Sequence, residues 1–149
     1  MKRAFVLVSA IATAGIVATA GSALHAGRSG VLHVTKNCDG YMGGAGESCR
    51  ITSSSIRAIE VNSRVVYAKA IGDPTPGVLD SDLVIHGPRH STAFGHVVLD
   101  ASTFTGVVTL SGGTGDFRHF HAGPLTVACP AFPDCSWDGP YSFSPHPRH

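Results

Sequence analysis

Residues 117–122 read Phe-Arg-His-Phe-His-Ala and set two imidazoles two positions apart. On an extended strand such positions face the same side. With Arg118 turned to solvent, His119 and His121 face inward beside Phe117, where they could ligate a metal or shuttle protons near neutral pH. A metal needs a third and a fourth donor, for which His86 and His96 are the candidates; without them the pattern is that of two partly exposed strand histidines. No metal or other cofactor is assigned. Tyr67, Phe94 and Phe120 could line a cavity for an aromatic or acyl ligand, or serve as plain packing. Asp82 and Asp100 are carboxylates within apolar strands: enclosed, either could act as acid or base with a raised pKa, and at a strand end either is simply solvated. The candidate ligand-binding residues are therefore Tyr67, His86, His96, Phe117, His119 and His121, and no residue is assigned as catalytic.

Nucleophile motifs are missing: there is no Gly-x-Ser-x-Gly elbow and no His-Glu-x-x-His, which disfavours ordinary hydrolase chemistry. The run Ser111, Gly112, Gly113, Thr114, Gly115 invites a phosphate-loop reading, because consecutive glycines let backbone amides approach an anion. No Lys-Ser or Lys-Thr pair follows it and no helical pattern opens behind it, so a strand connection using positive φ angles accounts for it better.

The elements that would position these residues are strands. Helical patterning is nearly absent after the first 26 residues, and short segments rich in Val, Ile, Thr, Tyr and Phe recur between Gly, Pro, Asp and Ser. The pattern predicts strands at 31–35, 51–60, 63–71, 81–86, 92–101, 104–110, 117–127 and 136–143. Val61 and Asn62 form a two-residue link, the stretch 72–77 carries two prolines, and Gly87 with Pro88 ends the strand before them. Eight strands joined in sequence suit an all-β, eight-stranded antiparallel closed barrel, which leaves no free edge; a two-sheet sandwich is the alternative. Such a barrel is just wide enough for side chains or one small ligand. Alternation sets Val66, Ala68 and Ala70 against Val65, Tyr67 and Lys69, and Leu83 and Ile85 against Asp82, Val84 and His86, with the charged set expected to stay wet. The segment 106–110 is apolar on both faces, as at a subunit interface.

The chain opens on Met1, Lys2 and Arg3 and then carries no charge from Ala4 through Leu24. That is the pattern of a secretory signal, with the cut expected after Ala26; an uncleaved membrane anchor is the alternative. The expected organisation is a signal peptide at 1–26, one barrel domain at 27–143 and a disordered tail at 144–149, whose prolines and lack of apolar periodicity oppose regular pairing. The protein is expected to be secreted, to the periplasm or outside the cell, with no membrane attachment after cleavage. Of 11 Lys and Arg, two lie in the signal, and 10 Asp and Glu face the rest; with no basic block, nucleic acid is excluded as a partner. No Asn-x-Ser/Thr acceptor occurs, so N-glycosylation is not expected.

The segments 63–70 (Ser-Arg-Val-Val-Tyr-Ala-Lys-Ala), 107–118 (Val-Val-Thr-Leu-Ser-Gly-Gly-Thr-Gly-Asp-Phe-Arg) and 137–143 (Trp-Asp-Gly-Pro-Tyr-Ser-Phe) resemble the allene oxide cyclase barrel superfamily, which includes the dirigent proteins and bacterial exported members. The central segment carries most of it, a strand ending in Gly-Gly-Thr-Gly-x-Phe and feeding another. The resemblance implies an eight-stranded antiparallel barrel, often a trimer, whose cavity takes a hydrophobic or phenolic small molecule. Allene oxide cyclases steer ring closure of an unstable epoxide, and dirigent proteins orient phenoxy radicals made by a separate oxidase; both confine a reactive species in one conformation. The expected function is that of a secreted binding barrel of dirigent-like type. Two alternatives stand beside it: a cyclase or isomerase, which needs a polar group buried in the barrel, and a structural or interaction protein with a filled interior.

Cys38, Cys49, Cys129 and Cys135 all lie beyond the signal, and an even count in an oxidising compartment reads as disulfides. Spacing favours the local pairs Cys38 with Cys49 and Cys129 with Cys135, and no Cys-x-x-Cys pair suggests zinc. Thiol titration of the unfolded, unreduced protein is expected to find no free thiol; four reactive thiols would end the disulfide assignment.

Overall fold

The computed structural model describes residues 28–87 and 89–144. The expected signal segment, Pro88 and the tail beyond Ser144 lie outside the described residues. Eight strands succeed one another: β1 (Ser29–Asn37), β2 (Ser48–Ser54), β3 (Arg64–Tyr67), β4 (Val78–His86), β5 (Thr92–Asp100), β6 (Thr105–Gly113), β7 (Phe120–Ala131) and β8 (Asp134–Phe143). Each pairs antiparallel with its sequence neighbour, and β8 pairs with β1 over nine residues, so the sheet is a closed barrel. The sandwich alternative is thereby excluded.

Two expected strands are much shorter. The second ends at Ser54, and residues 55–63 form a loop that turns at Val61 and Asn62, the latter at φ 71°. The third is only four residues long and ends at Tyr67. Its inward face also differs from the expectation: Val65 and Tyr67 are buried, while Ala68 is exposed and Val66 only half-buried. Lys69 stays wet because it lies past the strand end, so its charge carries no information about the pleat. In β4 the expectation holds, with Leu83 and Ile85 inside and Asp82 and His86 outside.

The interior is divided. At one end Phe117, from the 3-10 turn Gly115–Phe117, packs on Phe120, which also meets Phe143; ring centroids are 5.6 and 4.9 Å apart. Ile59 from the 55–63 loop and Leu32 are fully buried and fill the same end. Val34, Ile51, Val65, Val108 and Leu125 form the mid-barrel core, all beyond the reach of solvent. The other end, where β1, β3, β5 and β7 finish, carries both disulfides, Cys38–Cys49 and Cys129–Cys135. They are the pairs expected from spacing. Closing loops of sequence separation 11 and 6, each contributes about 2–3 kcal/mol by chain entropy.

Outside, Phe94, Val98 and Val107 are about half exposed on β5 and β6, and Val98 sits opposite Val107. These strands approach closely at Gly95, where the register shifts between Ala93 and Gly95. A Cβ there would stand 2.4 Å from the Thr109 carbonyl oxygen and 2.6 Å from Leu110 Cδ2. Glycine is required for this backbone contact, as at other bulges. Gly95→Ala is expected to lower stability by about 1–3 kcal/mol in chemical denaturation; an unchanged midpoint would show that the strands can part freely there.

Candidate functional site

Inward positions just below the disulfide rim do not fill the barrel. They enclose a cavity of about 320 Å³. Its rim carries both disulfides with Met42, Phe104 and Phe132; its wall is Ile71, Leu79, Val97, Leu99 and Val127; its base is Lys36, Tyr67 and Trp137. Strand alternation explains the layering. Lys36 lies two residues before Cys38, Val127 two before Cys129 and Trp137 two after Cys135, so all three point inward one step beneath the rim. The next inward residues, Val34 and Leu125, are solid core and form the floor.

Lys36 is the anomaly. Only 5% of it is exposed. Its Nζ donates to Tyr67 Oη at 2.6 Å and lies 3.5 and 3.7 Å from the Sγ atoms of Cys38 and Cys49, which are weak acceptors. The rings of Tyr67 and Trp137 stand 5.2 and 5.3 Å from it, within cation–π range. Among the described residues no Asp or Glu lines the cavity. Loss of water without a compensating carboxylate pulls the Lys36 ammonium down from 10.5 to about 7. Tyr67 is raised, by burial first and then by Tyr41, so its hydroxyl keeps its proton.

Tyr41 leans on Tyr67 at 5.2 Å between centroids and is pushed up to about 12 by burial and by the charge of Glu47. The Glu47 carboxylate in turn accepts the backbone N–H groups of Met42 and Gly44 at 2.7 and 2.9 Å, and backbone bonds at Gly44 and Met42 hold its pKa low. This pins the 38–47 loop across part of the mouth. Gly43 O accepts from Ile71 N at 2.9 Å and joins it to the next loop. Among the described residues Tyr41 Oη and Trp137 Nε1 are buried with no hydrogen-bond partner, and both residues line the cavity. A buried donor without a partner costs about 1–3 kcal/mol.

Of the six candidate residues from the sequence, only Tyr67 lines this cavity. Phe117 is buried but belongs to the plug at the opposite end. His119 and His121 are both exposed rather than inward-facing, because the chain leaves the strand alternation at the 3-10 turn: His119 adopts φ 61° and Phe120 takes the inward position. His86 is exposed at the end of β4. His96 is on the outer wall, its Nδ1 and Nε2 each 2.9 Å from a carboxylate oxygen, of Asp82 and Asp80 respectively. The four histidines are not brought together, and among the described residues no three of His, Cys, Asp and Glu are arranged to hold a metal ion. Phe94 is on the outside, and Phe120 is core. Asp82 faces solvent. Asp100 is also at the surface, and its carboxyl is lowered, not raised, by the Ser102 hydroxyl and then the Ser102 backbone N–H.

The sequence pattern does not find Lys36, because the first strand it predicts stops at Thr35. Extending the alternation of Leu32 and Val34 by one step places Lys36 inside, and that is the signal that finds it. Trp137 falls by the same rule two residues after Cys135. Comparison of the chain with protein-family models, with curated proteins and with solved structures finds no match.

Lys36 keeps its proton up to about pH 10.5 in the unfolded chain and only to about 7 in the fold. Between those values folding releases a proton, so this residue makes stability rise with pH across the window, by about 5 kcal/mol in total, and below pH 7 its penalty is constant and largest. Lys36→Met is expected to be more stable than wild type at and below neutral pH, with the difference shrinking toward pH 10. Denaturation of both proteins over this range checks it; parallel stability curves would refute the buried, uncompensated amine.

Proposed function

We propose that this protein is an exported binding barrel that takes one small hydrophobic or phenolic molecule through its disulfide-rimmed mouth. The observation that carries the reading is the cavity of about 320 Å³, apolar on its walls, lined by Tyr41 and Trp137 and with the Lys36–Tyr67 pair bringing polar atoms to its base. An apolar enclosure with a few convergent polar groups is the usual form of a small-molecule site. Two disulfides suit an oxidising location, and the apolar leader read at residues 1–26 supports export. The eight-stranded closed barrel is the architecture that the likeness to allene oxide cyclases and dirigent proteins implies, which supports a dirigent-like role of confining a reactive molecule.

A second reading, a cyclase or isomerase, is favoured by one feature. Such an enzyme needs a polar group inside the barrel, and the Lys36–Tyr67 pair is one. The structural alternative requires a filled interior, which the cavity opposes.

Trp137 is the chain's single tryptophan and lines the cavity, so its emission reports occupancy. Cinnamyl alcohol and its para-hydroxy analogue are expected to change Trp137 fluorescence saturably. Val97→Phe, which narrows the cavity, should weaken binding by about tenfold or more, near 1.4 kcal/mol, while Phe94→Ala on the outer wall should leave it unchanged. Emission indifferent to aromatic and acyl probes alike would overturn the binding assignment.

A further inference from the structure

We propose that Lys36 is the nucleophile of a carbonyl-capture site, in which an apolar aldehyde entering the cavity condenses with Nζ to form an imine. The inference rests on the reading of the cavity as a ligand site and names the chemical class of the ligand.

The geometry carries it. A buried amine is normally paired with a carboxylate, and among the described residues none lines this space. The neighbours are instead a tyrosine hydroxyl at 2.6 Å, two disulfide sulfurs and two ring faces. Tyr41 and Glu47 stand at the mouth, where the Glu47 carboxylate is engaged by backbone N–H groups of its own loop, and Asp39, Asp100 and Asp134 at the same end are exposed to solvent. A desolvated lysine without an anionic partner is the type of amine that proteins use for Schiff-base chemistry, because attack requires the uncharged form. Burial supplies that form near neutral pH.

In the reaction the Nζ lone pair makes the C–N bond while the carbonyl π pair moves to oxygen. That oxygen takes a proton, giving a carbinolamine. It then leaves as water, taking up the second proton lost by nitrogen, and C=N forms. Aldehyde and amine become imine and water, with no change of oxidation state. The Tyr67 hydroxyl, kept protonated by burial, is placed to pass protons between nitrogen and oxygen. Tyr41 and Trp137 line the same space. The aromatic rings around the cavity favour aryl or conjugated aldehydes.

The chain has three lysines, Lys2, Lys36 and Lys69, and the exposed Lys69 is an internal control. The purified protein is incubated with cinnamaldehyde and cyanoborohydride, and peptide mass spectrometry locates the reduced adduct. Lys36 is expected to be labelled at least about tenfold faster than Lys69. Excess cinnamyl alcohol should slow labelling at Lys36 alone. Tyr67→Phe should slow labelling at Lys36 relative to Lys69. Lys36→Arg, which retains a cation, should show no adduct in the barrel. If Lys36 reacts no faster than Lys69 while cinnamyl alcohol still changes Trp137 emission, the imine is wrong and the binding site stands. If both signals are missing, both readings fall.

Discussion

Pairing of β8 with β1 over nine residues is the constraint on which the rest of the structure depends. Once the last strand closes on the first, each alternating position has one side inside and one outside, with no edge to relax the choice. Extending that pairing to Asn37 and Asp134 carries the inward row past Val34 to Lys36 on one strand and from Trp137 to Cys135 on the other. The lysine, the tryptophan and the disulfides are therefore consequences of a single ladder. A shorter β1 would release Lys36 to solvent and leave the cavity without its amine.

The two ends of the barrel use the interior differently. At the plugged end, aromatic rings and the residues around them pack densely enough to exclude solvent, and this end supplies apolar burial. At the open end the rim is held by two short covalent loops and by backbone bonds among the loops that cross it. That division lets the mouth remain hollow without loosening the sheet, because the disulfides restrain the strand ends that packing does not fill.

Burying Lys36 works against stability. Ring faces, a hydroxyl and sulfurs stabilise an ammonium less than a carboxylate would, and the lowered pKa is the measure of that shortfall. A methionine would pack there with less penalty. Unpartnered polar atoms of Tyr41 and Trp137 at the same cavity add to the cost. Polar groups gathered where they destabilise the empty fold are the pattern of a site shaped for something that enters it.

By itself the sequence determined the all-β class, the number of strands and their order, and the two local cystines. These rest on nearest-neighbour signals: β-branched runs between turn residues, and cysteines close enough to meet across one hairpin. It did not determine which side of β3 faces in, because Val65 and Val66 are equally apolar and Lys69 lies beyond the strand. Nor did it place the histidines, since a 3-10 turn and a positive φ at His119 break the two-residue period on which their facing depends. Only the closed tertiary structure decided the site. The alternation of Leu32 and Val34 aims Lys36 inward, but a lysine at a strand end reads as solvated until the strand is known to continue, and the partner that extends β1 to Asn37, β8, lies about a hundred residues away in the chain.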